Sequence, residues 1–274
     1  MFKQVAYISE EQSKRLKDLR EYLKKLQTTC IAYSGGVDST LIAAIAYEQL
    51  GKNAIAITGV SNSLAKRLLI EARNQTEWIG IKHLEIKTSE IDNSSYSNNA
   101  SDRCFYCKKE LHKHTKFISQ QLNFKNVIDG VNFDDLSDFR PGIKAAKEAK
   151  VLSPLAMLKF SKTDIREISR ALGFPWWNKP AQPCLASRFS YGNQISDKKL
   201  IMIEKAEEYI KDLGITEVRV RYDDKNARIE IPSDQIQNFI TTYKREELIN
   251  YFTKLGFKFI SLDLEGLISG KLNR

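Results

Sequence analysis

The string Ala32-Tyr33-Ser34-Gly35-Gly36-Val37-Asp38-Ser39-Thr40 constrains this chain more than any other stretch. Ile31 to Tyr33 read as the end of a buried strand, and Leu41, Ile42, Ile45 and Ala46 recur at helical spacing, so the pattern predicts strand, tight turn and helix. Gly35 and Gly36 let the backbone turn sharply and approach a ligand with no Cβ in the way, so successive N–H groups can point at phosphate oxygens. The helix begins at the same place, and its positive dipole end favours the same anion. Ser34, Ser39 and Thr40 add hydroxyls, and Asp38 is positioned either to orient a magnesium ion or to cap the helix. A Gly-Gly turn capped by Asp and Ser is the plain alternative. The whole string, set between strand and helix, favours nucleotide binding. No Gly-Lys-Ser/Thr follows, so it is not a Walker A motif.

The string resembles the PP-loop of ATP pyrophosphatases, enzymes that attach AMP to an oxygen of their substrate and release pyrophosphate. The resemblance implies ATP and Mg2+ at Ser34, Gly35, Gly36, Asp38, Ser39 and Thr40, in an adenine nucleotide alpha hydrolase-like domain.

Hydrophobic periodicity extends the reading along the chain. Residues 10–27 form an amphipathic helix with Leu16, Leu19, Leu23 and Leu26 on one face, and buried strands are expected at 53–58, 83–87 and 127–129 with helices between them. Strands separated by helices imply a parallel α/β sheet, whose ligands bind beyond the carboxyl ends of the strands. Residues 88–101 are polar and aperiodic and read as a mobile loop delivering the chain to Asp102, an expected helix N-cap. The polar stretch after 129, with Asn132, Asp135, Asp138 and Arg140, reads either as a ligand-facing loop or as plain surface. Pro175, Pro180 and Pro183 mark a stiff junction. Beyond it, helix 197–213, strands 217–222 and 227–231, helices over 233–255 and strand 258–263 predict a small α+β domain with an antiparallel sheet. The expected division is an α/β parallel-sheet domain over 1–175, a linker over 176–195 and an α+β domain over 196–274 that binds substrate or assembles subunits.

Charge narrows the partners. The chain of 274 residues carries a net charge of +9, but Lys14, Lys17, Lys24 and Lys25 fall on the polar side of one helix and Lys108, Lys109, Lys113 and Lys116 on another. Without a basic stripe interleaved with aromatics, a small anionic substrate is favoured over a long nucleic acid. No apolar run approaches the roughly 18 residues of a membrane span, and Met1-Phe2-Lys3-Gln4 lacks the start of a signal peptide, so a cytoplasmic location is expected.

Four cysteines with no secretion signal argue against a disulfide framework. Cys30 sits in the strand before the turn and reads as a buried apolar residue. Cys104-Phe105-Tyr106-Cys107 puts two thiols one helical turn apart, a spacing open to zinc, a redox pair, an iron–sulfur cluster or coincidence. Cys184, in Pro183-Cys184-Leu185-Ala186-Ser187-Arg188, is a third thiolate or a buried linker cysteine; the neighbouring Arg188 favours the thiolate. Three thiolates on a four-iron cluster would leave one iron open to an external ligand such as sulfide. Arg219 and Arg221 alternate with Val218 and Val220 and leave the same face of a strand. Two such guanidinium groups suit a phosphate, or pair with Glu230 on the adjacent strand.

Taken in order, the Ser-Gly-Gly-Val-Asp-Ser-Thr turn, the Arg-Cys-x-Tyr-Cys-Lys segment, Asp129-Gly130, Arg140-Pro141-Gly142, the Pro-Cys-Leu-Ala-Ser-Arg stretch and Val218-Arg219-Val220-Arg221 resemble the LarE family over nearly the whole chain. That family comprises ATP-dependent sulfur transferases of the nickel-pincer cofactor pathway, which serves lactate racemase. The resemblance implies adenylation of a carboxylate of pyridinium-3,5-biscarboxylic acid mononucleotide, followed by displacement of AMP by sulfur. In one branch Cys184 is sacrificed and becomes dehydroalanine. In the other, Cys104, Cys107 and Cys184 hold a [4Fe–4S] cluster that passes on a sulfide, and the three-cysteine pattern favours this branch. Further implications are Asp38 and Cys184 as catalytic residues, Arg188, Arg219 and Arg221 on the substrate phosphate, a metal at Glu207 and Glu230 with a third position on Asn238, and a homo-oligomer. PP-loop enzymes that thiolate tRNA, amide-forming synthetases of the same superfamily and a non-catalytic nucleotide or metal sensor are the competing readings; neither a dedicated RNA-binding domain nor a continuous basic surface is evident.

Overall fold

The computed structural model describes residues 2–137, 141–268 and 270–271. In chain order its elements begin α1 (Glu10–Leu26), β1 (Thr29–Ala32), α2 (Val37–Leu50), β2 (Ala54–Val60), α3 (Lys66–Ile79), β3 (Lys82–Lys87), α4 (Ser94–Ser97), α5 (Arg103–Gln121) and β4 (Asn126–Asp129). They continue with α6 (Pro141–Glu148), α7 (Pro154–Met157), α8 (Lys162–Ala171), α9 (Asp197–Asp212), β5 (Arg219–Asp223), β6 (Asn226–Glu230), α10 (Ile236–Thr242), α11 (Arg245–Leu255) and β7 (Phe259–Leu262). The chain divides into two compact units, one of Met1–Glu90 with Asp102–Gln182 and one of Ile91–Ser101 with Pro183–Arg274.

The first unit is built on a parallel sheet in the order β3-β2-β1-β4. Local chemistry starts its helices: at α1 the Ser9 hydroxyl accepts from Gln12 N while the Gln12 side chain accepts from Ser9 N, a reciprocal capping box that is repeated at α8 by Ser161 and Asp164. Leu16, Leu19 and Leu23 of α1 are buried against the core. Each such leucine contributes on the order of 1.5–3 kcal/mol by leaving water. In α2 the run Leu41–Ala46 is fully buried on every side, as expected of a helix enclosed by other elements rather than lying at the surface. Phe174 and Trp176, in the proline-bearing stretch, also pack into this unit with Phe2 and Trp78.

The sheet order fixes where a ligand can sit. The chain passes from β1 to β2 and β3 on one side, then returns to place β4 on the other side of β1. The switch in direction therefore falls between β1 and β4, and crevices of open parallel sheets lie beyond the carboxyl ends of the strands at such a point.

In the second unit β5 and β6 form the expected hairpin, and Asp224 (φ 39°) and Lys225 (φ 68°) supply the two left-handed residues of its turn. The third strand differs from expectation: β7 runs parallel to β6, not antiparallel. Helices α10 and α11 form the crossover that a parallel return requires. Val220, Ile229, Phe252 and Phe257 form much of the buried interior.

Residues 91–101 differ too. Asn93 caps α4, Tyr96 and Asn99 are buried, and Asn99 Nδ2 donates to Ser190 O while Gly192 N donates to Asn99 O. Their order comes from partners far along the chain, which a local reading of polarity does not see.

Candidate active site

The turn after β1 is held from behind. Tyr33 N donates to Ile57 O, extending the sheet by one residue, and the Tyr33 hydroxyl donates to Gln75 Oε1 at 2.7 Å; burial raises its pKa above the usual phenol range. Gly35 sits at φ 70°, and a Cβ there would lie 3.1 Å from Ala72 Cβ and 3.2 Å from Gln75 Oε1, so both conformation and space call for glycine. Gly36 takes the N-cap position of α2 with no side-chain cap. The Ser39 and Thr40 hydroxyls instead donate to Gly36 O at 3.1 and 2.8 Å, and Ser34 Oγ lies 3.1 Å from Ser39 Oγ. Asp38 is an acidic residue of the first helical turn rather than the cap. Gly36 N donates to Ser34 Oγ at 3.4 Å, so a serine hydroxyl stands at the helix start where an anion's oxygen would bind.

Across the switch point, β4 delivers Asp129 and Gly130. Asp129 accepts from Val131 N, and burial raises its carboxyl above the usual range despite opposing hydrogen bonds from Ser153 and Val131 and the charge of Lys108. Asn132 is fully buried: Asp135 N donates to its Oδ1, and its Nδ2 donates to Asp38 Oδ2 at 3.3 Å. The polar stretch after β4 therefore orients Asp38; Asp138 and Arg140 lie outside the described residues. A Cβ on Gly130 would fall 2.7 Å from Ser39 N and 2.8 Å from Ser39 Cα. Its φ is not left-handed, so space alone demands glycine here. Gly130→Ala is expected to push the α2 start away from β4, at a cost of about 1–3 kcal/mol in stability, which thermal unfolding checks.

Helix α5 presents Cys104 exposed and Cys107 half-buried, one turn apart. Asp102 occupies its N-cap position, although its side chain makes no capping hydrogen bond. Further along, His112 is buried with neither ring nitrogen hydrogen-bonded among the described residues, and burial, with Lys108 adding to it, lowers its pKa to about 3. The unfolded chain takes up that proton near pH 6.5, whereas the folded one does not. Stability is therefore full above that pH and falls as pH drops toward 3, with about 2 kcal/mol lost by pH 5. His112→Leu should remove this part of the acid slope in denaturant titrations.

The second unit buries a layer of charge beside Cys184. Residues Leu185–Arg188 form a short 3-10 turn in which Ser187 N and Oγ and Arg188 Nη1 all donate to Cys184 O. Arg188 also donates to both carboxylate oxygens of Glu207, at 2.7 and 3.0 Å, and Val220 N donates to Glu207 Oε1. Burial opposes the Arg188 charge, but Glu207, the Cys184 sulfur and Glu230 outweigh it and hold its pKa above the ordinary value. Arg221 donates from Nε and Nη2 to Glu230 Oε2 and from Nη1 to Ser187 O. Two of the expected phosphate ligands are thus committed to glutamates, which realises for Arg221 the alternative of pairing with Glu230. Glu207 and Glu230, expected at a metal, each face a buried guanidinium, and Glu230 Oε1 is buried with no hydrogen-bond partner among the described residues. Arg219 differs. It is half-buried, makes no ion pair among the described residues, and has its pKa lowered by burial and by Arg188 and Arg221. An anion would relieve that repulsion.

Among the described residues no group of three or more His, Cys, Asp or Glu side chains is gathered to hold a metal ion. Cys104 and Cys107 alone form a two-donor set in the first unit, and Cys184 belongs to the second. No helix among the described residues is long and apolar enough to cross a membrane.

No protein-family model matches the chain. Among individual proteins, it is 34% identical over 252 residues, 92% of this chain and 91% of the relative, to the pyridinium-3,5-bisthiocarboxylic acid mononucleotide synthase of Lactiplantibacillus plantarum. The chain belongs to the LarE family. Two further relatives are uncharacterized proteins: one of Synechocystis sp., 51% identical over 260 residues covering 95% of this chain and 97% of the relative, and one of Methanocaldococcus jannaschii, 32% identical over 257 residues covering 92% and 96%. In this LarE-family chain Gly130 enters the sequence reading within the Asp129-Gly130 motif, without the reason for it, which is the space it leaves beside Ser39, whereas Lys179, which reaches the Gly35 carbonyl, carried no signal beyond its place between loop prolines.

Proposed function

We propose that this LarE-family protein is an ATP-dependent sulfur transferase that adenylates a carboxylate of pyridinium-3,5-biscarboxylic acid mononucleotide and converts it to a thiocarboxylate. The relative named pyridinium-3,5-bisthiocarboxylic acid mononucleotide synthase, similar over nine-tenths of both chains, carries the proposal. The glycine turn at the switch point of the parallel sheet supports the nucleotide half of it. In this reading the first-turn amides of α2, with the Ser34 and Ser39 hydroxyls, hold the phosphates of ATP, and Asp38, oriented by Asn132, holds the magnesium ion that neutralises them. A substrate carboxylate oxygen attacks the α-phosphorus, and pyrophosphate leaves with the electrons of the broken P–O bond. Sulfur then adds to the acyl carbon, and AMP departs with the carboxylate oxygen. Arg219 takes the phosphate of the substrate, so the acyl group is held rather than met by collision.

Cys104, Cys107 and Cys184 are the residues that would hold a [4Fe–4S] cluster, which supplies a sulfide on its open iron. The fit is a matter of donor chemistry: three thiols, one of them exposed and another in a turn with a buried arginine. Anaerobic purification with iron and sulfide analysis, then turnover with ATP and the dicarboxylate nucleotide, tests the proposal. Pyrophosphate release that depends on the dicarboxylate supports it. Release that ignores the dicarboxylate contradicts it.

A further inference from the structure

Lys179 lies in the stretch that follows α8, and its ammonium donates to Gly35 O at 3.1 Å while standing 2.6 Å from Glu71 Oε2 of α3. The lysine side chain is 13% exposed and that of Glu71 37%. A lysine from a distant part of the sequence is therefore folded onto the backbone of the glycine turn and kept nearly out of solvent. Its only charged partner among the described residues is a glutamate on the surface of a neighbouring helix. The glutamate side of the pair is open to solvent, which screens part of the attraction. The lysine stem is long and flexible, and the ammonium can move a few ångströms without disturbing the backbone.

We propose that Lys179 is a ligand of the β- and γ-phosphates of ATP and that it exchanges Glu71 for them when the nucleotide binds. The inference rests on the reading of the glycine turn as an ATP site, and adds to it the cation that receives the leaving group. The amides at the start of α2 donate to the phosphates as neutral groups. Lys179 adds a full positive charge beside them, where pyrophosphate gathers negative charge as its bond to the α-phosphorus breaks. Glu71 has the complementary part. It holds the ammonium at the turn before ATP arrives, and so competes with the triphosphate.

The test compares ATP with AMP, which lacks the phosphates concerned, by calorimetric titration of the full-length protein. Lys179→Met keeps the aliphatic stem and removes the charge. It should weaken ATP about tenfold or more and leave AMP within about twofold, while Lys179→Arg retains most of the ATP affinity. Glu71→Gln removes the competitor and should tighten ATP a few-fold. Pyrophosphate release by Lys179→Met at saturating ATP should fall as well. Equal weakening of ATP and AMP would mean that Lys179 only fastens the loop to the turn, and unchanged ATP affinity would mean that it does not meet the phosphates; either result overturns the inference while the ATP site stands. Absence of ATP binding by the unaltered protein would instead overturn the ATP reading itself, and the role of Lys179 with it.

Discussion

Glu207→Gln or Glu230→Gln should lower the unfolding free energy by about 3–5 kcal/mol, the loss expected when one partner of a buried ion pair is neutralised and the other remains charged. The side chains of Arg188 and Glu207 are 6% and 3% exposed, and those of Arg221 and Glu230 are 4% and 0% exposed. Neither guanidinium has water to fall back on. Glutamine keeps the shape of glutamate, so the loss measures charge rather than volume, and it opens a donor toward Arg188 or Arg221 where an acceptor is needed. Pairing Glu207→Gln with Arg188→Met should recover much of the loss, because the orphaned charge goes as well. Denaturant unfolding of the four proteins completes the cycle; a change below about 1 kcal/mol in the single variants would mean that water reaches these pairs.

Cys104→Ala should end multiple turnover while leaving the fold unharmed. Cys104 is exposed on α5, and alanine is a good helix former, so the stability change should stay within about 0.5 kcal/mol. In the cluster reading the same change removes one of three ligands, so iron and acid-labile sulfide in anaerobic preparations fall together with turnover. In the sacrificial reading Cys104 is dispensable, and the variant still converts one equivalent of substrate while Cys184 becomes dehydroalanine. Mass spectrometry of the protein after one turnover separates the two. Cys184→Ala should be inactive under either chemistry.

The first unit was largely legible because its signals are local. The strand, glycine turn and helix around Ser34–Thr40 follow from periodicity and from two adjacent glycines ahead of an apolar helical pattern, and the structure places them as expected. What depends on partners far along the chain was not legible. Residues 91–101 look like a loop until Asn99 is seen bonded to Ser190. Arg219 and Arg221 share a strand face, and the register sets Arg219 directly across from Glu230, yet the bond runs diagonally from Arg221, which neither spacing nor pairing reveals. The direction of β7 is set by where the two-helix connection returns the chain, which a hairpin signal in the sequence does not report. Space is the least legible property of all. Gly130 is required because α2 begins against it, which no composition or spacing reveals.

Transfer of a carboxylate oxygen to AMP tests the central claim most directly. With the dicarboxylate nucleotide labelled with 18O in its carboxylates, the account predicts that each thiocarboxylate formed is matched by one labelled oxygen in the phosphate of AMP, because the acyl-AMP bond is made by that oxygen and broken on the carbon side. AMP free of label, with the thiocarboxylate still produced, would show that the carboxylate is activated some other way and would contradict the account.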